Sequence, residues 1–200
     1  MRSKWMILIV VTSVLLRVAA AIYMGNDVVE LPGTADQISY HTLATRVLDG
    51  HGFSFGENWW PATRADEPTA HWSYLYTLFL VLVYKVFGVT PIIPRIIQAV
   101  AVGILQPLLG YQIGKWLFNH KIGLVTAAWI AVYGYFIYYA GALMTEMFYI
   151  TAILATFFGA LKLSTSRFRL LLAAGFGVIL GCTLLLRQLF LLFIPFLFLW

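Results

Sequence analysis

The chain has 200 residues, 62% of them hydrophobic and only 10% charged, with a mean hydropathy of +0.87. Soluble domains carry about 25% charged residues, so this composition excludes a soluble globular protein and describes an all-α polytopic membrane protein. The formal net charge of +5 does not point to nucleic acid, because the basic residues are scattered at the ends of apolar runs, where they set orientation.

Residues 5–24, WMILIVVTSVLLRVAAAIYM, predict the first span. Arg2 and Lys4 precede it and place the N-terminus in the cytoplasm. A cleaved signal peptide is the rival, with an apolar core at 6–16 and AAA at 19–21. The multispan sequence that follows favours a retained helix.

Residues 25–71 are the one long polar segment and hold seven of the eight acids. Loops of this length are often functional. Within it, Asp36, Tyr40, Ala44 and Leu48 recur every four residues and predict a helix over 36–48. Asp36 fits an N-cap or first-turn position, which is compatible with a catalytic one. Asp66 and Glu67 before Pro68 read as a turn, and Asp27, Glu30, Asp49 and Glu57 as solvated charges. His41, His51 and His71 lack metal-ligand spacing and read as surface or packing residues. Trp59, Trp60 and Trp72 suit an outer-leaflet belt, with a sugar-stacking wall as the sharper alternative.

The run 72–88, WSYLYTLFLVLVYKVFG, is short and contains Lys85. Loop charge decides its placement. If it lies along the outer interface, Lys115, Lys121, Lys162, Arg167 and Arg169 all stay in the cytoplasm; if it crosses, all of them move outside. Its Trp, Tyr and Lys also suit an interfacial helix. The non-cytoplasmic loop then covers 25–91. Further spans are predicted at 92–116, 122–140, 144–163 and 168–187, with another starting at 189–200. His120 falls in a cytoplasmic loop as an orientation charge. The single Cys182 implies no disulfide framework. The last apolar run is too short for a span, so residues 1–200 are expected to be the front part of a longer protein.

Glu146 is the only acid after position 67. In this topology it lies on the outer side, at the first turn of its helix, facing the same compartment as segment 25–71. Asp36 and Glu146 are therefore expected to share one non-cytoplasmic cavity. The bland reading of Glu146 is a first-turn acid favoured by the helix dipole, with Thr145 as cap. Arg17 and Arg187 lie within apolar runs. Snorkelling to headgroups is the expectation for Arg17; for Arg187, snorkelling and binding of an anionic group in the cavity stand level.

Several stretches together carry a resemblance: ADQISYHTLATRVLDGHGF, then RADEPTAHWSYLY, the run YTLFLVLVYKVFGVTPIIPRIIQAV, the segment ending GALMTEMFYI, and LGCTLLLRQLFLLFIP. In order and spacing the chain resembles the N-terminal half of the membrane glycosyltransferases of the GT-C class. It is most similar to the branch holding bacterial lipid A aminoarabinose transferases and protein O-mannosyltransferase-like enzymes. The resemblance implies a GT-C-type helix bundle with interfacial helices in the first outer loop. It implies transfer of a sugar from a polyprenyl-phosphate donor to a lipid, protein or glycan acceptor, with inversion, on the outer face of a bacterial or archaeal cell membrane.

By the same resemblance Asp36 is the catalytic base and Glu146 the acid of the second outer loop. Tyr40, Glu67 and Arg187 are substrate-binding, Arg187 through the carrier phosphate. A divalent metal is left open, with Asp36 and Glu67 as its candidate ligands. Gln37 stands where many members carry a second acid, which weakens a paired-carboxylate or direct metal role. A membrane transporter or flippase subunit is the alternative, with Glu146 and Arg187 as substrate or proton sites. Transporters place such charges near the midplane, often in broken helices and repeats, whereas here the acids gather in one outer loop. A non-catalytic scaffold fragment is the third reading.

Overall fold

The computed structural model describes residues 2–61, 63–165 and 169–199. The chain is helical, with no strand among the described residues. Its helices are α1 (Arg2–Met24), α2 (Asp36–Leu48), α3 (Tyr74–Phe87), α4 (Ile92–Leu117), α5 (His120–Val132), α6 (Gly134–Gly141), α7 (Glu146–Thr165) and α8 (Arg169–Leu186). A 3-10 turn, Gln188–Phe193, and the short α9, Ile194–Leu199, follow. Two isolated bridges, Ser54 to Pro68 and Trp59 to Thr63, tie down the loop between α2 and α3.

Among the described residues, three helices are long and apolar enough to cross a membrane: α1 over Lys4–Met24, α4, and α7 over Glu146–Leu163. They coincide with the runs predicted at 5–24, 92–116 and 144–163. The run predicted as one span at 122–140 is instead two helices, α5 and α6, bent by 49° at their junction. Counted together they give a fourth candidate. The helix predicted over 36–48 is α2, with the same bounds. The run 72–88 contains α3, whose 14 residues extend only about 21 Å at ~1.5 Å per residue, short of a hydrocarbon core of about 30 Å. The run predicted at 168–187 becomes the shorter α8. Position 168 and Trp200 lie outside the described residues.

The bend between α5 and α6 has a chemical cause. Tyr133 is extended (φ −67°, ψ 115°) and ends α5. The last carbonyls of a helix lack intrahelical donors, and here Arg17 of α1 supplies them. Its Nη2 donates to the Ile130 carbonyl at 2.9 Å and its Nη1 to the Ala131 carbonyl at 3.0 Å. Arg17 also donates to the Ser13 hydroxyl at 2.7 Å and to Gln106 Oε1 at 3.2 Å. It is fully buried. The snorkelling expected of Arg17 is therefore wrong: its charge stays inside the bundle because backbone carbonyls solvate it there.

Helix α4 packs against α1, α5 and α7. Small residues permit the closest approaches. A Cβ on Gly123 would sit 2.7 Å from the Tyr111 carbonyl oxygen, and one on Gly141 would sit 2.9 Å from that of Ala20. The main core cluster joins the outer segment to the later helices. Tyr40, Leu43 and Ala44 of α2 meet Trp72, Tyr76, Leu80 and Tyr84, together with Leu143 before α7 and Leu186 at the end of α8.

Candidate functional site

The entry to α2 is set by Thr34, whose hydroxyl accepts from the Leu31 amide at 3.0 Å and whose carbonyl accepts from the Gln37 amide at 3.1 Å. Asp36 is the first residue of α2, in the turn where the helix dipole favours an anion. Tyr40 follows one turn later on the same face. It is buried among rings, edge-on to Trp72 at 5.4 Å and to Tyr76 at 5.0 Å. Burial pushes its phenol pKa up to about 12, so at neutral pH it is a hydroxyl and not a phenolate.

On the opposite wall the chain breaks at Arg187. This residue is extended (φ −151°, ψ 117°) between α8 and the 3-10 turn. Its Nε donates to the Thr145 hydroxyl at 3.2 Å, and its Nη2 pairs with Glu146 Oε1. The face of Tyr149 lies beneath the guanidinium, 5.8 Å away. The Arg187 side chain is 39% exposed and that of Glu146 only 11%. The Nε–Nη2 edge is thus anchored, while Nη1 has no partner among the described residues.

Between the two walls lies a cavity of about 570 Å³, lined by Asp36, Tyr40, His71, Trp72, Arg187 and neighbours of these. Ser73 closes one end: its hydroxyl accepts from the Tyr76 amide at 3.2 Å, capping α3, and donates to the Leu185 carbonyl of α8 at 2.8 Å. The Trp72 indole N–H and Glu146 Oε2 are buried without a protein partner. Buried polar atoms are almost always paired, so the orphaned indole N–H of Trp72, on the cavity wall, marks a place for a polar guest.

The structure thus brings Asp36, Tyr40 and Arg187 to one cavity. Glu146 reaches it only through Arg187, although its charge, like that of Asp36, acts on the Tyr40 hydroxyl. Glu67 is not brought in. It is exposed and lies 3.8 Å from Arg64. Its neighbour Asp66, with φ at 57°, is the one tied to the fold, through a 2.6 Å ion pair with Arg46 of α2. Among the described residues no three His, Cys, Asp or Glu side chains are grouped to hold a metal ion, and Glu67, one of the two ligands left open for a metal, does not line the cavity with Asp36. Of the three loop tryptophans, only Trp72 lines the cavity. Trp60 is exposed, and Trp59 stacks on Phe55 and donates to Ser39 at 2.8 Å.

Sequence reasoning missed the buried polar residues behind the site. Arg95 of α4 donates to the Asp27 carbonyl at 2.8 Å and to Gln37 Oε1 at 3.2 Å. Gln37 is therefore occupied in holding α4 and is not a vacant second acid. Gln98 and Gln106 are fully buried as well. The signal was a carboxamide or guanidinium inside an apolar run, IIPRIIQAVAVGILQPLL, which must find partners.

Fold and site together define a helical protein with, among the described residues, three to four candidate membrane-crossing helices and a cavity at the helix ends that is lined by both polar and apolar side chains. No protein-family model matches the chain, and neither a curated protein nor a solved structure matches it.

Proposed function

We propose that this chain is part of a GT-C-like glycosyltransferase. It takes a sugar from a polyprenyl-phosphate donor and passes it to an acceptor on the non-cytoplasmic face of a bacterial or archaeal membrane. One observation carries the reading: a carboxylate, Asp36, and a partly free guanidinium, Arg187, line the same cavity. In this reading the N-terminus is cytoplasmic, α3 lies along the outer interface, and the donor's prenyl chain stays in lipid.

The reaction follows from these groups. An acceptor hydroxyl attacks the anomeric carbon as Asp36 takes its proton, an effect worth about 10²–10⁴-fold. The new C–O bond forms as the bond from the anomeric carbon to the phosphate oxygen breaks, with inversion. The prenyl phosphate leaves with the electron pair, and Arg187 Nη1 offsets its growing charge. Glu146 and Thr145 hold the other edge of that guanidinium, so their part is positioning. Tyr40, kept as a hydroxyl, is a hydrogen-bond donor to the sugar or the phosphate.

One observation favours the transporter alternative, namely the broken α5–α6 pair with a buried cation beside it. Both terminal nitrogens of that cation, Arg17, are however already taken up by the Ile130 and Ala131 carbonyls, Ser13 and Gln106, which leaves only its Nε without a partner. The separating experiment offers membranes containing the protein a panel of polyprenyl-phosphate sugars and measures transfer. Asp36→Asn is expected to abolish transfer at normal protein yield. Unchanged turnover in that variant removes Asp36 as the base.

A further inference from the structure

We infer that Gln98 is a positioning residue that sets the Glu146–Arg187 pair against the Asp36–Tyr40 wall. The inference rests on the reading above only through its claim that Arg187 receives a phosphate. Gln98 is fully buried in α4, where an unpaired carboxamide would be costly. Both ends of the carboxamide are in use. Nε2 donates to the Ala142 carbonyl at 2.8 Å, to that of Ala140 at 3.1 Å and, more weakly, to that of Tyr139 at 3.4 Å. Oε1 accepts from the Tyr76 hydroxyl at 2.9 Å.

These contacts reach both halves of the site. The three carbonyls belong to the end of α6 and the turn that leads directly to Thr145 and Glu146. A helix end leaves such carbonyls without donors, so the path of this turn depends on what Gln98 offers it. Tyr76 belongs to α3 and packs edge-on against Tyr40. Gln106, about two turns further along α4, donates to the Met147 carbonyl at 3.2 Å and accepts from Arg17. The backbone is therefore gripped from α4 on both sides of residue 146. Of the two glutamines, Gln98 is the one that also reaches the wall carrying Asp36, through the Tyr76 hydroxyl. A shift in this turn moves Thr145 and Glu146, and with them the anchored edge of Arg187.

The test uses the 200-residue chain in lipid nanodiscs, with dodecyl phosphate as the probe and affinity as the readout. Four proteins are compared: wild type, Gln98→Met, Arg187→Met and the double variant. Gln98→Met is expected to weaken binding about tenfold and Arg187→Met at least as much, in the range of coupled sites. The double variant is expected to bind no worse than Arg187→Met alone, because both losses run through one guanidinium. Wild-type affinity in Gln98→Met overturns the inference. So does a second full loss in the double variant, which would make Gln98 a general support of the fold. If Gln98→Met does not fold, Tyr76→Phe removes one arm of the link and is expected to weaken binding about threefold, the scale of a single net hydrogen bond; unchanged affinity there overturns the inference equally. Binding indifferent to Arg187 sinks the phosphate reading and carries this inference with it, whereas a failure at Gln98 alone leaves the Arg187→Met loss intact.

Discussion

Arg187 and Glu146 form an ion pair between the broken end of α8 and the first turn of α7, and the pair leaves one guanidinium nitrogen for the cavity that holds Asp36. The arrangement separates the two roles an arginine can play. One edge is anchored, while the other is offered to a ligand.

Glu146→Gln removes the charge that holds the anchored edge. Sugar transfer is expected to fall about tenfold to a hundredfold, since a misplaced positioning group costs roughly that much. Arg187→Lys is expected to fall further than its conserved charge suggests, because an ammonium lacks the fork that spans Thr145, Glu146 and the cavity. Full activity in Glu146→Gln would reduce that acid to a favourable charge at a helix start.

Arg17→Met leaves the Ile130 and Ala131 carbonyls without their donor inside the bundle. Each orphaned group costs about 1–3 kcal/mol, so the melting temperature in detergent is expected to drop clearly. Arg17→Lys is expected to recover part of the loss. A methionine variant that melts with the wild type would show that the bend at Tyr133 does not depend on this cation.

His41 of α2 is half-buried, and its Nδ1 lies 2.9 Å from the Tyr84 hydroxyl. Burial, and then the charge of Arg95, hold its pKa below the usual 6.5. The unfolded chain therefore takes up this proton more readily than the folded one. Stability is complete above about pH 6.5 and is lost as pH falls from there towards the folded value. Proteolysis of the outer segment is expected to accelerate over that range, and His41→Gln should flatten the dependence. A wild-type profile with no slope below pH 6.5 would remove His41 from this account.

The topology is open to a labelling experiment. Trp60 and Phe118 are both well exposed and lie on either side of α4 in the chain. In a Cys182→Ser background, Trp60→Cys is expected to react from outside the cell and Phe118→Cys only after permeabilisation. Reaction of both from one side contradicts the proposed orientation.

Much of the helical layout was legible in the sequence, for physical reasons. The four-residue recurrence from Asp36 to Leu48 is the helical period itself, and it marked α2 to the residue. Long apolar runs marked α1, α4 and α7. The break at Tyr133 was not legible, because VYGY is as apolar as its surroundings and the donor that stabilises the break lies on α1. For the same reason Arg17 read as a snorkelling cation: its partners are carbonyls more than a hundred positions away, and every residue has a carbonyl. Glu67 and Asp66 are adjacent and chemically alike. Only the position of Arg46 decides which of them is tied down. A cavity shared by Asp36 and Glu146 was the expectation, with Arg187 level between cavity and headgroups; Arg187 is the one that lines the cavity with Asp36, and Glu146 lies one layer further back, behind it.

The interruption of α8 at Arg187 has one more consequence. Leu170, Leu171 and Val178 on this helix are largely exposed, so many apolar substitutions there should pass unnoticed. An added or deleted residue would not, because each step along a helix turns its end by about 100° and would swing the guanidinium away from both its anchor and its guest. The demand on this helix falls on how many letters it has, and hardly on which ones.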